Sequence, residues 1–153
     1  DEPFSGFDPV NANIIKDEIL QLREEGATIV FSTHRMESVE EICDHMALIH
    51  KSYKLLDGKV IDIKRKFKSN TFQVGVDAQE SDKLRKELSE KFTIRDASFK
   101  SLYSGLKLEI QIPEHSSPND LLVYLTAKGQ VNHFVEVIPS VNDIFIKTVT
   151  NHA

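Results

Sequence analysis

The 153-residue chain has a single cysteine and no long apolar run. One cysteine excludes an internal disulfide and is typical of a reducing compartment. Because Cys43 lies in an apolar helical pattern, we expect it to be a small core residue rather than a nucleophile. No apolar run approaches the ~20 residues that cross a bilayer, and no signal peptide pattern is present. We therefore expect no direct membrane insertion, so that any link to a membrane would depend on a partner.

An excess of basic residues is also missing. Residues 1–67 carry 13 acids and 9 bases, a net charge of −4, and residues 68–153 carry 11 acids and 10 bases, a net charge of −1. A nucleic-acid-binding surface needs a basic patch, so the charge gives no support to nucleic-acid binding. No ligand-like spacing connects Cys43 or the acids with His45, His50, His115, His133 or His152. A zinc site is therefore not expected.

Residues 1–67 alternate helical patterns with apolar runs, which predicts an α/β layered sheet. The nearly unbroken apolar run at residues 27–32 is typical of a strand buried on both faces of a parallel sheet. The basic stretch at residues 64–66 is interpreted as a solvated linker. The other expected elements are a helix between an Asp8-Pro9 cap and Gly26, a helix over about residues 36–43, a strand at 46–50, and a hairpin whose primed turn is Asp57-Gly58.

Residues 68–153 show a different order, in which alternating apolar residues and helical repeats follow one another. The expected elements are a strand at residues 72–76, a helix bearing Leu84, Leu88 and Phe92, strands at 94–99 and 106–112 separated by a turn at 103–105, a helix from Ser117 to Gly129, a strand at 131–137, and a helix from Ser140 to about residue 149. The order β-α-β-β-α-β plus a helix predicts a ferredoxin-like plan.

The opening segment Asp1-Glu2-Pro3-Phe4-Ser5-Gly6-Phe7-Asp8-Pro9 resembles the end of the Walker B motif and the D-loop of ABC ATPases, with phenylalanine at position 7 where leucine is usual. Ser32-Thr33-His34 is similar to the switch histidine segment of that family. Residues 40–50 and 55–60 then follow in family order. Four such pieces in the correct order, over about residues 1–65, make a specific signal.

The resemblance implies a site that uses ATP and Mg²⁺. Asp1 would hold the Mg²⁺ of Mg-ATP, directly or through water. Glu2 would be the general base that polarises the attacking water, and His34 would reach the γ-phosphate, because phosphoryl transfer depends on positioning and charge stabilisation. The family closes two ATPase subunits around two ATP molecules, and the D-loop residues that would contact the second subunit are Ser5, Gly6 and Asp8.

Each of these residues also has an ordinary structural explanation. An acidic pair at the start of a chain is often solvated, Asp8-Pro9 is explained as a helix cap, and a histidine after an apolar run is often a satisfied polar residue. The catalytic interpretation therefore depends on the ordered set of motifs rather than on any one of them.

Other motifs of the same family are missing from the chain. There is no G-x-x-x-x-G-K-[ST] loop, no Leu-Ser-Gly-Gly-Gln signature and no glutamine loop. The chain also begins without an initiator Met, which indicates a segment of a longer protein. We therefore expect these 153 residues alone to be inactive as an ATPase and to bind ATP no more tightly than millimolar.

The two halves together suggest a transporter component. Residues 1–67 are expected to be the C-terminal part of an ABC ATPase domain, an α/β remnant. Residues 68–153 resemble the accessory domain of drug- and antibiotic-resistance exporters, whose usual ending is similar to residues 139–145. The resemblance implies an ATP-hydrolysing subunit of an exporter, cytoplasmic and peripheral on the inner face of the cell membrane, with a permease and a second ATPase subunit as partners.

Three alternatives remain open at this point. The chain could act as a regulatory or dimerisation module without catalysis of its own, which the missing phosphate loop favours. Its second half could be a small-molecule sensor, on fold analogy alone. A non-transporter ABC protein of translation or repair is disfavoured by a single ATPase half followed by a ferredoxin-like tail.

Overall fold

The computed structural model describes residues 1–102 and 104–151. Residue 103 of the expected turn and His152 lie outside the described residues. The chain forms two compact units, of which the second is Lys68–Ile138 and the first is Asp1–Phe67 together with the segment that begins at Pro139. The last helix, placed in 68–153 from the sequence, therefore groups with the first unit.

Helices and strands follow one another along the whole described chain. In order they are α1 (Pro9–Glu24), α2 (Met36–Ile42), β1 (His45–His50), β2 (Tyr53–Lys59), α3 (Val60–Phe67), β3 (Thr71–Asp77), α4 (Ser81–Lys91), β4 (Thr93–Asp96), β5 (Leu106–Gln111), α5 (Pro118–Thr126), β6 (Gln130–Glu136) and α6 (Val141–Asn151). The mixed α/β class is as expected, although the order of strands in the first unit is not.

Helix α1 begins where the sequence predicted. The Asp8 carboxylate accepts hydrogen bonds from the backbone N–H groups of Val10 at 2.9 Å and Asn11 at 3.1 Å. These donors have no partner inside the helix, so the cap stabilises its first turn. After the helix, Gly26 has φ +95°, a conformation that suits glycine and ends the helix.

Residues 27–32 do not form a strand, and this prediction was wrong. Both sheets of the described residues are antiparallel, and neither includes this segment. The Ser32 carbonyl instead accepts a hydrogen bond from the Glu2 N–H at 2.7 Å. A strand needs a neighbour for its backbone groups, and here the described chain supplies none, so that Val30 stays 91% exposed.

The hairpin of the first unit turns at a different place from the one predicted. Strands β1 and β2 are joined by Lys51-Ser52, whose φ values of 48° and 67° are both positive, as a type I′ turn requires. Asp57-Gly58, the predicted turn, lies inside β2, where Gly58 pairs with Met46. The pairing places buried Leu48 opposite Leu56.

The basic stretch at residues 64–66 is helical rather than a linker, which corrects the sequence interpretation. It forms the last turn of α3, where positive side chains face the negative end of the helix dipole. Val60 and Ile63 are buried on one face of α3. Their spacing of three residues anchors the helix to the first unit.

Helix α6 also begins at its predicted cap. The backbone N–H of Ser140 donates to Asp143 Oδ2 at 3.0 Å, and the Asp143 N–H donates to Ser140 Oγ at 3.0 Å. This reciprocal pair is a capping box. The side chains of α6 that are buried are Val141, Ile144 and Thr148.

The second unit is a four-stranded antiparallel sheet in the order β4-β5-β3-β6, with the chain order β-α-β-β-α-β. Alternate residues of β3 and β5 point to one face, where Val74 lies opposite Leu108 in register. These side chains form one core with Leu84 and Leu88 of α4 and with Leu121 and Leu125 of α5. Apolar residues recur every second position in the strands and about every 3.6 positions in the helices. The apolar faces of strands and helices therefore pack together in one common layer.

A glycine directly precedes each of the two strands that flank β3 in the second unit, β5 and β6. A Cβ atom on Gly105 would lie 2.4 Å from the Val76 carbonyl oxygen, and one on Gly129 would lie 2.4 Å from the Asp77 carbonyl oxygen. Both clashes would be with backbone, which cannot move aside cheaply. Each position thus needs glycine because another stretch of main chain approaches closely.

Amide hydrogen exchange should separate paired from unpaired segments. We expect slow exchange at residues 72–76 and 106–112, because β3 and β5 are buried and paired within a sheet. Residues 28–32 should exchange faster, since their amides have no strand partner in the described chain. The measurement is exchange followed by mass spectrometry on a demonstrated monomer, because a second copy could cover this segment. Slow exchange throughout residues 28–32 in a monomer would contradict the expectation.

Candidate functional site

The segment that begins the chain meets the segment that precedes α2. Glu2 Oε1 accepts a hydrogen bond from the His34 backbone N–H at 2.8 Å and lies 2.7 Å from His34 Nδ1. Glu2 Oε2 accepts from the Thr33 hydroxyl at 3.1 Å. The structure therefore brings together Glu2 and His34, the two residues for which the sequence suggested catalytic roles.

The backbone around Glu2 is fixed on both sides. Glu2 has φ +45°, its carbonyl accepts from the Ser5 N–H at 3.0 Å, and its own N–H donates to the Ser32 carbonyl. A left-handed conformation at a non-glycine residue is uncommon and is often found at functional sites. The neighbouring Asp1 carboxylate accepts a hydrogen bond from the Ser32 hydroxyl.

Apolar packing supports the same junction. Phe4 is buried, and its ring meets the Phe31 ring edge-on, with centroids 6.0 Å apart and planes at 88°. The Arg35 guanidinium donates to the Phe4 carbonyl at 3.3 Å. Edge-to-face aromatic pairs add roughly 1 kcal/mol beyond burial, so these contacts hold the two segments together independently of the polar groups.

The charges of the site favour an ionised Glu2. The hydrogen bond from His34 lowers the pKa of the Glu2 carboxyl below its usual value, and the His34 backbone N–H and the Thr33 hydroxyl lower it further, while partial burial acts in the opposite direction. The Glu2 side chain is 28% exposed and that of His34 is 80% exposed. A solvent-accessible carboxylate next to an imidazole can accept a proton from water and orient the ring.

Among the described hydrogen bonds, the D-loop candidates meet this pair only through the Ser5 backbone N–H, which donates to the Glu2 carbonyl. Ser5 and Gly6 are exposed, and Gly6 has φ +79° in the turn before α1. The Asp8 carboxylate is engaged in its own helix cap, where a hydrogen bond from the Asn11 side chain lowers its pKa. In this conformation the Asp8 carboxylate is therefore occupied in capping α1, while Ser5 and Gly6 remain accessible.

Sequence reasoning missed the two hydroxyls that precede His34. Ser32 contacts Asp1 and Thr33 contacts Glu2, so each acidic residue has its own hydroxyl partner. The Thr33 Oγ1 atom also accepts from the Arg35 N–H at 3.0 Å. The signal was present as a Ser-Thr pair directly before the histidine.

Magnesium can be tested against the residues of this site. Within the described residues no group of three or more His, Cys, Asp or Glu is arranged to hold a metal ion. Mg²⁺ in ATPases is bound by one or two carboxylates together with substrate phosphates. The exposed Asp1 carboxylate, with the Ser32 hydroxyl beside it, fits that smaller role.

No helix in residues 1–102 and 104–151 combines the length and the apolar character that a bilayer crossing requires.

Comparison with known families matches residues 58–149 to the C-terminal domain of DrrA1-3-like ATP-binding proteins. That range covers more than half of the chain. The chain belongs to the DrrA1-3-like ATP-binding protein family. The match contains α3 and all of the second unit.

Curated relatives are similar to this chain over almost its whole length. An uncharacterized ABC transporter ATP-binding protein of Bacillus subtilis, YhaQ, is 36% identical over 149 residues, 97% of this chain and 47% of the relative. A second, from Alkalihalophilus pseudofirmus, is 35% identical over 97% of this chain and 52% of its own length. The chain thus spans about half the length of these relatives.

A third relative has a more specific name. A fluoroquinolones export ATP-binding protein of Mycobacterium tuberculosis is 44% identical over 61 residues, 40% of this chain and 18% of the relative. The resemblance to an ABC transporter ATP-binding subunit with a C-terminal accessory domain is therefore confirmed.

Proposed function

We propose that the chain is part of the ATP-hydrolysing subunit of an ABC transporter that exports its substrate. The observation that carries the proposal is the contact between Glu2 and His34, because it joins the two catalytic candidates of the family in one site. The names of the curated relatives, one of them an export protein, support the same function.

The chemistry would divide between these two residues. Glu2 would accept a proton from the attacking water as an ionised carboxylate, which its hydrogen bonds with Thr33 and His34 orient. His34 would face the γ-phosphate, because its side chain is largely exposed while its Nδ1 is held by Glu2. Oriented groups of this kind act by positioning and charge stabilisation.

ATP and Mg²⁺ would be the cofactors of this site. Asp1 would hold the ion, directly or through water, and Mg²⁺ would neutralise charge on the phosphates. The 153 residues contain no G-x-x-x-x-G-K-[ST] loop, so that the phosphate cradle would come from other residues of the full-length protein. The exposed Ser5 and Gly6, with Asp8, would contact a second ATPase subunit.

The accessory region is proposed to have a ferredoxin-like fold and to support regulation or dimerisation. Its β-α-β-β-α-β order, with β3 between β5 and β6, supports the fold assignment. The described ion pairs and hydrogen bonds of this unit contain no arrangement that resembles a catalytic site. A purely regulatory or dimerising role for the chain is the second candidate, favoured by the missing phosphate loop.

A permease would link the protein to the membrane. The subunit is proposed to be cytoplasmic and peripheral on the inner face of the cell membrane, since an ATP-binding protein of an ABC transporter, as the relatives are named, would work beside its permease. The charge distribution gives no reason to propose a nucleic-acid partner.

The exchange of His34 for alanine tests the proposal. In the full-length protein, His34→Ala should lower ATP turnover by about 10²-fold while ATP binding persists, because a positioned catalytic group contributes roughly that much. The matched control is His50→Ala, which removes a histidine of β1 that lies outside the site. Turnover would be followed by phosphate release and binding by calorimetry. Equal turnover in His34→Ala and wild type would refute the catalytic assignment.

A further inference from the structure

The second unit is inserted between two segments of the first, and one side chain binds both. The chain leaves the first unit after α3, which carries Lys64, and returns to it just before α6, which begins at Val141. Glu40 of α2 accepts a hydrogen bond from Lys64 Nζ at 3.2 Å through Oε2, and from the Val141 backbone N–H through Oε1. A single carboxylate therefore holds both segments that flank the insertion.

The environment makes Glu40 more than a solvated surface acid. Its side chain is 28% exposed, and that of Lys64 is 19% exposed, so water screens this pair less than an open surface pair. The Val141 N–H is among the first donors of α6 and has no acceptor within its own helix. A carboxylate at this position also faces the positive end of the helix dipole. Removing it would leave Lys64 and the Val141 N–H without this acceptor.

Helix α2 connects Glu40 to the Glu2–His34 contact. The helix begins two residues after His34 and, with seven residues, is only about 10 Å long. Its other side is bound to α1, because Lys16 pairs with Glu41 at 2.8 Å and Arg23 donates to the Ile42 carbonyl at 3.4 Å. Contacts on both sides therefore hold this short helix in place.

We propose that Glu40 is a positioning residue that couples the placement of α3 and α6 to the contact between Glu2 and His34. A displacement of α3 or α6 would reach Glu40 through Lys64 or Val141, and Glu40 would pass it through α2 to His34. The catalytic consequence rests on the proposed function, whereas the coupling itself does not.

The hydrogen-exchange rates of two backbone amides, those of Val141 and His34, measure the coupling without ATP. In the 153-residue chain, Glu40→Ala should speed NMR-detected exchange of the Val141 amide and of the His34 amide by about tenfold, because each loses an acceptor or the support that holds it. Glu40→Gln should have a smaller effect, since it keeps an acceptor for Val141 and loses only the charge that faces Lys64. Glu37→Ala, an exposed acid on the same helix, is the control and should change neither amide.

In either Glu40 variant, the Val141 amide could exchange faster while the His34 amide exchanges at the wild-type rate. That result would show that Glu40 only caps α6, and it would overturn the coupling. If Glu40→Ala does not fold, the Glu40→Gln comparison decides the question in the same way. In the full-length protein, Glu40→Ala should lower kcat by about 3- to 10-fold with little change in KM for ATP. A wild-type protein without ATPase activity would refute the proposed function, while the two amides would still decide whether Glu40 couples them.

Discussion

Replacing Glu2 by glutamine should lower ATP turnover of the full-length protein by at least about 10²-fold, because the variant loses its general base. Glutamine keeps the length of the side chain, and its carbonyl oxygen can still accept the hydrogen bond from the His34 N–H. It cannot take a proton from water. ATP binding should therefore persist while hydrolysis stops, and phosphate release and calorimetry on the same sample would measure both.

The control for this experiment is Glu24→Gln. Glu24 is an exposed acid in the last turn of α1, so its replacement removes the same charge away from the site. Turnover in the control should match wild type. If Glu2→Gln also hydrolyses ATP at the wild-type rate, the general base lies elsewhere and the carboxylate next to His34 has only a structural role.

Truncating Leu125 should have the largest effect on stability. Leu125 of α5 is fully buried in the core that α4, α5, β3 and β5 share. Leu125→Ala removes apolar contacts and leaves a cavity, which costs about 2–5 kcal/mol in the free energy of unfolding. Urea unfolding of the second unit, followed through the β3 amides by NMR, would measure the change.

Val123→Ala is the matched control on the same helix. Val123 is 69% exposed, so its truncation should change the free energy of unfolding by no more than about 0.5 kcal/mol. A loss of similar size in both variants would mean that α5 does not pack as described. A negligible loss in Leu125→Ala alone would show that the core can close around the missing side chain.

Helix starts were predictable because their determinants are local. Asp8 caps α1 within three residues, and Ser140 and Asp143 cap α6 within the same distance. Such side chains satisfy backbone donors that any helix leaves free. The alternation of the second unit was predictable for a similar reason, since one buried face imposes a period of two on each strand.

Strand pairing in the first unit was not predictable in the same way. The apolar run at residues 27–32 fits a buried strand, but whether a neighbouring strand exists is not encoded in the run itself. Asp57-Gly58 is a stronger local turn signal than Lys51-Ser52. The pairing that places Leu48 opposite Leu56 sets the register instead, and it is decided by contacts across the hairpin.

The sequence predicted only those residues of the candidate site that belong to the family motifs. Glu2 and His34 are 32 positions apart and were associated only through the ordered family pattern, and their roles stay predictions. Glu40 has partners 24 and 101 positions away, and the family resemblance over residues 40–50 gave it no role of its own. Contacts of that range depend on tertiary packing, which neither periodicity nor capping describes.

Gly105 and Gly129 limit how the sequence of this family member can vary. Since both stand where a neighbouring backbone leaves no room for a Cβ atom, the stretch before β5 can change length only upstream of Gly105, and the α5–β6 connection only upstream of Gly129. A one-residue insertion after either glycine would shift the strand by one position and turn its apolar face outward. The two glycines therefore fix the residues at which β5 and β6 begin. A library that varies the loops before these strands should keep both glycines.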